Sequence, residues 1–314
     1  MELRPLGFGE IFDRAITLYV RNFIPFAGIV SVVIVPLAIL QYFYDRSVGP
    51  QFDEMFKIIS HPNAPVPAHA VTPSILSSPL ATLLFLAVVA IVWLIWPFAL
   101  NACAVGIARL YRNRPVEFGA CYRASLRRWG PVIGLLVMEV LVFIMWYVGF
   151  VILIVAMILF ATLVARGSIA AGIIVGIFAV VVVLASLLLL APLFVALTFA
   201  MNAIVIEEKT VFNALGSGFR RVFNRHEIWR SMLFSISALL VLMTGSSLVG
   251  VLALAAVYFH QYAIEVVLTS IFRAAFTPFS IVLLAVYYFD VRIRHEGFDL
   301  EASLDRLAGI ERVA

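Results

Sequence analysis

Residues 131–206 read PVIGLLVMEVLVFIMWYVGFVILIVAMILFATLVARGSIAAGIIVGIFAVVVVLASLLLLAPLFVALTFAMNAIVI, and only Glu139 and Arg166 carry charge in the whole stretch. A helix needs roughly 20 apolar residues to cross about 30 Å of hydrocarbon, and each half of this stretch exceeds that length. The halves part at Arg166-Gly167-Ser168, where a charge, a flexible residue and a small polar residue fall together. Two adjacent membrane spans are the expected outcome, with tilt or protruding ends absorbing the excess length.

Similar runs flank this block. Apolar segments at about 24–44, 80–108, 131–164, 169–206, 231–258 and 264–289 give six spans. With 64% hydrophobic and 13% charged residues and a mean hydropathy of +1.08, the chain is far from a soluble globular composition, in which about a quarter of residues are charged. The expected fold is an all-α integral membrane protein.

Basic residues set the expected orientation. Arg4, Arg14 and Arg21 precede the first span; Arg109, Arg112, Arg114, Arg123, Arg127 and Arg128 lie between the second and third. Lys209, Arg220, Arg221, Arg225 and Arg230 separate the fourth and fifth, and Arg292, Arg294, Arg306 and Arg312 follow the last. These are 18 of the 22 Lys and Arg residues. The opposite side holds Arg46, Lys57 and Arg166, and Arg273 falls within the sixth span. An excess of Lys and Arg marks cytoplasmic flanks, so both termini are expected in the cytoplasm, with the N-terminus uncleaved. The net charge of +4 follows from this bias. It calls for anionic lipid headgroups, each basic residue contributing about 1 kcal/mol, and not for nucleic acid.

The three basic segments share a pattern. Phe8, Ile11, Phe12, Ala15 and Tyr19 fall at helical spacing, with Arg14 and Arg21 on other faces. Phe118, Cys121, Tyr122, Leu126 and Trp129 repeat the stripe beside Arg123, Arg127 and Arg128, and Phe212, Leu215, Phe219, Val222 and Phe223 repeat it beside Arg220 and Arg221. Apolar stripes with basic flanks suit helices lying in the membrane interface. Each arm leads into a pair of spans, and Pro97, Pro192 and Pro278 lie within the second member of successive pairs, where a helix is expected to kink. The expected architecture is one membrane domain over 1–314, built from three pseudo-repeats of interfacial helix plus helical hairpin at about 1–108, 109–206 and 207–290, with a tail at 291–314. The first pair has an extra Pro36. The arms serve either as elbows packed on the bundle or as surfaces for lipid or a partner. Arg14, Arg21, Arg127, Arg128, Arg220 and Arg221 are the candidate contacts.

The one sizeable external segment, about Asp45 to Ser78, contains Pro50, Pro62, Pro65, Pro67 and Pro73 and is expected to be extended. A short surface helix is expected at Phe52, Met55, Phe56 and Ile59. Reactive chemistry is not legible. The five histidines form no paired ligand motif, and neither a Gly-x-Ser-x-Gly elbow nor a phosphate-binding Gly-x-x-x-x-Gly-Lys-Ser/Thr loop occurs. No catalytic, metal or cofactor site is expected. Cys103 and Cys121 read as inert thiols, and Gly172-x-x-x-Gly176 fits close helix packing.

Charges inside spans are costly and face partners or wet cavities. Glu139 and Arg273 are therefore candidates for either a structural role or a solute pathway, with carbonyls or Glu265 as the expected partners of Arg273. Asn101 and Asn202 are expected to hydrogen-bond between helices.

Two terminal motifs add a resemblance. The opening Leu3-Arg4-Pro5-Leu6-Gly7-Phe8-Gly9-Glu10-Ile11-Phe12-Asp13-Arg14-Ala15, with Leu18-Tyr19-Val20-Arg21-Asn22-Phe23, and the closing Tyr287-Tyr288-Phe289-Asp290-Val291-Arg292-Ile293-Arg294-His295-Glu296-Gly297-Phe298-Asp299-Leu300-Glu301 resemble the ends of the glycerophosphoryl diester phosphodiesterase membrane-domain family. That family is named for fusions in which the membrane domain precedes a catalytic barrel, and the chain after the last span is too short for one. The resemblance implies the membrane module without the enzyme and carries over no catalytic residue. The expected role is a non-enzymatic scaffold or accessory subunit that associates with lipid and with a protein partner. A transporter or channel for an amphiphilic or anionic solute is the alternative.

Overall fold

A computed structural model describes residues 4–60, 79–225, 228–259 and 261–296. Among these residues helix is the regular structure present, and six helical segments are long and apolar enough to cross a membrane. It is a multi-pass membrane protein. In chain order the elements are α1 (Phe8–Arg21), α2 (Phe23–Ser60), α3 (Pro79–Ala90), a π-helical turn (Ile91–Ile95), α4 (Trp96–Tyr111), α5 (Phe118–Arg127) and α6 (Trp129–Gly167). There follow α7 (Ile169–Leu188), α8 (Leu190–Ile206), α9 (Val211–Val222), α10 (Ile228–Tyr258) and α11 (Tyr262–Glu296).

The turn expected at Arg166-Gly167-Ser168 is present: α6 ends at Gly167, and the Ser168 hydroxyl accepts from the Ala171 N–H at 3.4 Å to cap α7. The prolines act in two ways. Pro97 and Pro192 sit in the first turns of new helices, α4 and α8, where a missing N–H goes unnoticed. The second and fourth spans are thus broken helices, the second through the π turn. Pro278 lies within the unbroken α11. The segment expected to be extended from Asp45 begins as helix: α2 continues through Pro50 to Ser60 and takes in the expected short helix at 52–59. Helix once nucleated propagates past a residue that merely ends the apolar run. The rest of the proline-rich segment, and His61, His69, His226 and His260, lie outside the described residues.

The chain forms two compact units, one of residues 1–127 with 241–314, the other of residues 128–240. In the first, α2, α4 and α11 pack together, with α1 against α11 and α5 against α4. In the second, α6 pairs with α7, and α9 lies against α8. One rule therefore governs all three arms. Each docks on the second span of the hairpin that precedes it in cyclic order, α1 taking the last hairpin as its predecessor. The links from α4 to α5 and from α8 to α9 each contain one left-handed residue, Asn113 (φ 56°) and Glu208 (φ 55°). Asparagine tolerates that conformation; Glu208 is held by an ion pair with Arg128.

Arms α5 and α9 bury mostly small side chains, and α1 buries larger ones. Ile11, Ala15 and Leu18 are buried in α1, Cys121 and Ser125 in α5, and Ala214, Ser217 and Gly218 in α9. Phe118 is 47% exposed, Leu126 52% and Phe212 72%. The expected stripe is therefore split: Phe8, Phe118, Leu126, Trp129, Phe212 and Phe223 face outward, while Ile11, Ala15, Cys121 and Val222 are buried. Hydroxyls fix two of the arms to span carbonyls: Tyr19 donates to Ala275, Tyr122 donates to Ile29 at 2.6 Å, and Ser125 donates to Phe98 at 2.9 Å. Burial pushes both the Tyr19 and the Tyr122 phenol up to about 12, so both remain donors at any physiological pH. Burial also pushes the Cys121 thiol up, in keeping with an unreactive group.

Two further fastenings are specific. The buried Asp290 carboxylate on α11 accepts the Leu6 N–H at 2.6 Å and the Arg294 Nε–H at 3.2 Å, and Arg294 Nη2 donates to the Leu6 carbonyl at 2.5 Å. The two terminal motifs thus meet in space. Glu10 accepts the Gly7 N–H at 2.7 Å at the start of α1, and that bond, with Arg4 beside it, holds the Glu10 carboxyl below the usual range. In the other unit, Arg221 and Glu207 form a forked pair at 2.8 and 3.0 Å.

Candidate functional site

The polar groups of the first unit converge on the facing stripes of α2 and α11. Gln41 and Asp45 are four residues apart on α2; Glu265, Thr269 and Arg273 are spaced by four on α11. Arg273 Nη1 donates to Gln41 Oε1 at 2.7 Å. The carboxyl groups of Asp45 and Glu265 are within hydrogen-bonding reach of each other, and Gln41 also reaches Asp45. Glu265 is 3% exposed and Thr269 1%. At 1.5 Å per residue, Gln41 lies about 27 Å along α2 from Phe23. The cluster is therefore near the end of the hydrocarbon layer remote from the arms.

A cavity of about 520 Å³ opens beside it. Gln41, Asp45 and Arg273 form its polar end, and Ile34, Leu37, Phe85, Val88, Val92 and Trp96 form its apolar wall. The π turn shapes that wall. One extra residue per turn at Ile91–Ile95 widens the helix just before Pro97, a distortion that often accompanies functional sites. A tail-lined chamber ending in a guanidinium and an amide suits a molecule with an apolar body and a polar or anionic head. A second, smaller groove of about 270 Å³ runs along α1, where Arg4, Glu10, Asp13, Arg14, Thr17 and Arg21 line it.

The residues singled out from sequence are dispersed. Arg273 is in the cluster, but its hydrogen-bond partner is Gln41 and not a carbonyl. Glu139 is in α6 of the other unit, partly exposed, with no ion pair among the described residues. Asn101 and Asn202 are both buried. The Asn101 amide nitrogen finds no partner, so the expected interhelical bond does not form there. Arg21, Arg127 and Arg220 are exposed and Arg14 lies in the α1 groove. Arg128 pairs with Glu208. Arg221, expected to face lipid or a partner, is instead 6% exposed against Glu207. A guanidinium taken out of water requires such a partner, and the forked geometry provides it.

Gln41, Asp45 and Thr269 escaped the sequence reading, and Glu265 entered it only as a companion of Arg273. Their signal was the spacing of four on two apolar helices. No group of three or more His, Cys, Asp or Glu side chains that could hold a metal occurs among the described residues. In comparisons with known proteins the chain matches no family model, no curated protein and no solved structure.

Proposed function

We propose that this protein is a non-enzymatic, lipid-associated component of a bacterial cytoplasmic membrane, a scaffold or accessory subunit with its arms and both termini in the cytoplasm. The observation that carries this reading is the docking of the arms. All three bury one face against the spans and leave Phe8, Phe118 and Phe212, with Arg21, Arg127 and Arg220, turned outward. Aromatic rings beside arginines suit the headgroup layer, and arginine adds attraction to anionic lipid. The bare α6–α7 hairpin supports the accessory role. Ile144, Ile152 and Leu159 on α6, and Ile174, Ile177 and Val181 on α7, are all exposed, and two helices alone enclose no pathway. Lipid, or the spans of a partner protein, covers them. Kinship with the phosphodiesterase membrane module, on the strength of the terminal motifs, is part of the same proposal.

The cavity at Arg273 favours a second reading, a carrier for an amphiphilic or anionic solute. One experiment separates them: gentle extraction with crosslinking, then mass spectrometry of copurifying lipid and protein, on the wild type and two variants. In the first reading, combined reversal of Arg21, Arg127 and Arg220 to Glu lowers retained anionic lipid by at least about fivefold per residue and strips any crosslinked partner, while Arg273→Ala changes neither. In the second, Arg273→Ala empties the protein of its bound amphiphile and the arm variant does not. Phosphodiester hydrolysis that stays with the protein through stringent purification overturns the non-enzymatic assignment.

A further inference from the structure

We propose that Asp45 and Glu265 form a carboxyl pair that binds a single proton inside the membrane domain, beside the guanidinium of Arg273. The inference goes beyond the scaffold reading and does not depend on it. Its basis is an unmet hydrogen-bonding demand. Asp45 Oδ2 and Glu265 Oε2 are both buried, and neither finds a donor. Yet the two carboxyl groups are in hydrogen-bonding reach of each other. Ionised carboxylates only accept, so two facing each other leave both oxygens unsatisfied. One proton placed between them supplies the missing donor to both at once.

Charge balance gives the same answer. Two ionised carboxylates beside one arginine leave a net charge of −1 in a low-dielectric interior. One bound proton brings the cluster to neutrality. Like charges this close do not both ionise, and the proton belongs to the pair and not to either residue. Among the described residues no further charge faces the pair. On α2 the neighbours are the phenol of Tyr44 and the amide of Gln41, with Arg46 exposed; on α11 they are Thr269 and Arg273. The facing wall from α3 through the start of α4 contributes Phe85, Val88, Val92 and Trp96, none of them titratable. Asp45 also lines the 520 Å³ cavity, which gives the proton a route to exchange. Glu265 is the deeper member of the pair: its residue is 3% exposed, its carboxyl lies in reach of Asp45, and one of its oxygens is unpartnered.

The test is infrared difference spectroscopy on the full-length protein in lipid nanodiscs, following the protonated-carboxyl stretch. A Glu139→Gln background removes the acid in α6, and Asp290, ion-paired with Arg294, stays ionised. At neutral pH one protonated-carboxyl band is expected, and it disappears in Asp45→Asn and equally in Glu265→Gln, because each leaves a single carboxylate facing Arg273. Carbon-13 labelling needs no substitution in the pair: a shared proton makes the band move with labelled aspartate and with labelled glutamate. No band at neutral pH, a band that responds to one label alone, or a band that survives both single variants overturns the proposal. So does a band that appears only when sodium is withdrawn, since the pair would then hold a metal cation in place of the proton.

Discussion

Asp290→Ala releases the N-terminal arm. The substitution leaves the buried Leu6 N–H without an acceptor and Arg294 without its carboxylate, and removing one partner of a buried, hydrogen-bonded charge pair costs about 3–5 kcal/mol. The loss is expected to be local first, because what Asp290 holds is the segment leading into α1, while α2, α4 and α11 keep their mutual packing. Hydrogen exchange in α1 then accelerates by on the order of a hundredfold to a thousandfold, with little change in the middle of α11. Asp290→Asn keeps one acceptor for Leu6 and loses less, about 1–3 kcal/mol. Unchanged exchange in α1 of the alanine variant would show that the arm is held by its buried apolar residues alone.

Gly218→Ala is the second large effect, and it has a built-in contrast. A Cβ at Gly218 would stand 2.3 Å from the Ala196 carbonyl oxygen and 2.9 Å from the Ala200 amide nitrogen, backbone atoms of α8 that cannot turn aside. The arm α9 must lift, which costs about 1–3 kcal/mol or more and strains the Arg221–Glu207 pair one turn further on. Two residues earlier, a Cβ at Gly216 meets nothing within 4 Å. Alanine there gains up to about 1 kcal/mol of helix propensity. Unfolding in mixed micelles should therefore move in opposite directions for the two variants; a shift of the same sign would mean that α9 does not approach α8 so closely.

The contrast also shows which parts of the protein can be read from sequence. Six spans and the turn at Gly167–Ser168 follow from hydropathy, because a bilayer imposes one length and one chemistry on every crossing. The arms follow from their 3.6-residue period. Their docking face follows only in part: Ile11, Ala15, Cys121 and Val222 of the stripes are buried, but Phe118 and Phe212 of the same stripes face outward, and Ser125 and Gly218, outside them, make the approach. Small residues carry little weight in any hydrophobic pattern, yet close helix packing selects them. The polar cluster was hidden for another reason. Asp45 looks like the end of a span because it ends an apolar run, and only the continuation of α2 places it opposite Glu265. Asp290 and Leu6 are 284 residues apart, so the reason the two terminal motifs belong together is visible only once the chain is folded.

The proposed topology puts the three interfacial arms, each separated from the next by two crossings, on one face of the membrane. Cysteine labelling with a membrane-impermeant reagent reads that sidedness out. The native Cys103 and Cys121 are buried and stay silent, and Gly9, Gly119 and Gly216 offer open positions in α1, α5 and α9. Single cysteines at those three glycines are expected to label only in inverted vesicles, and a cysteine at Ser168, in the turn between α6 and α7, only in right-side-out cells. Labelling of any two arms from opposite sides, or of Ser168 from the same side as the arms, would contradict the account.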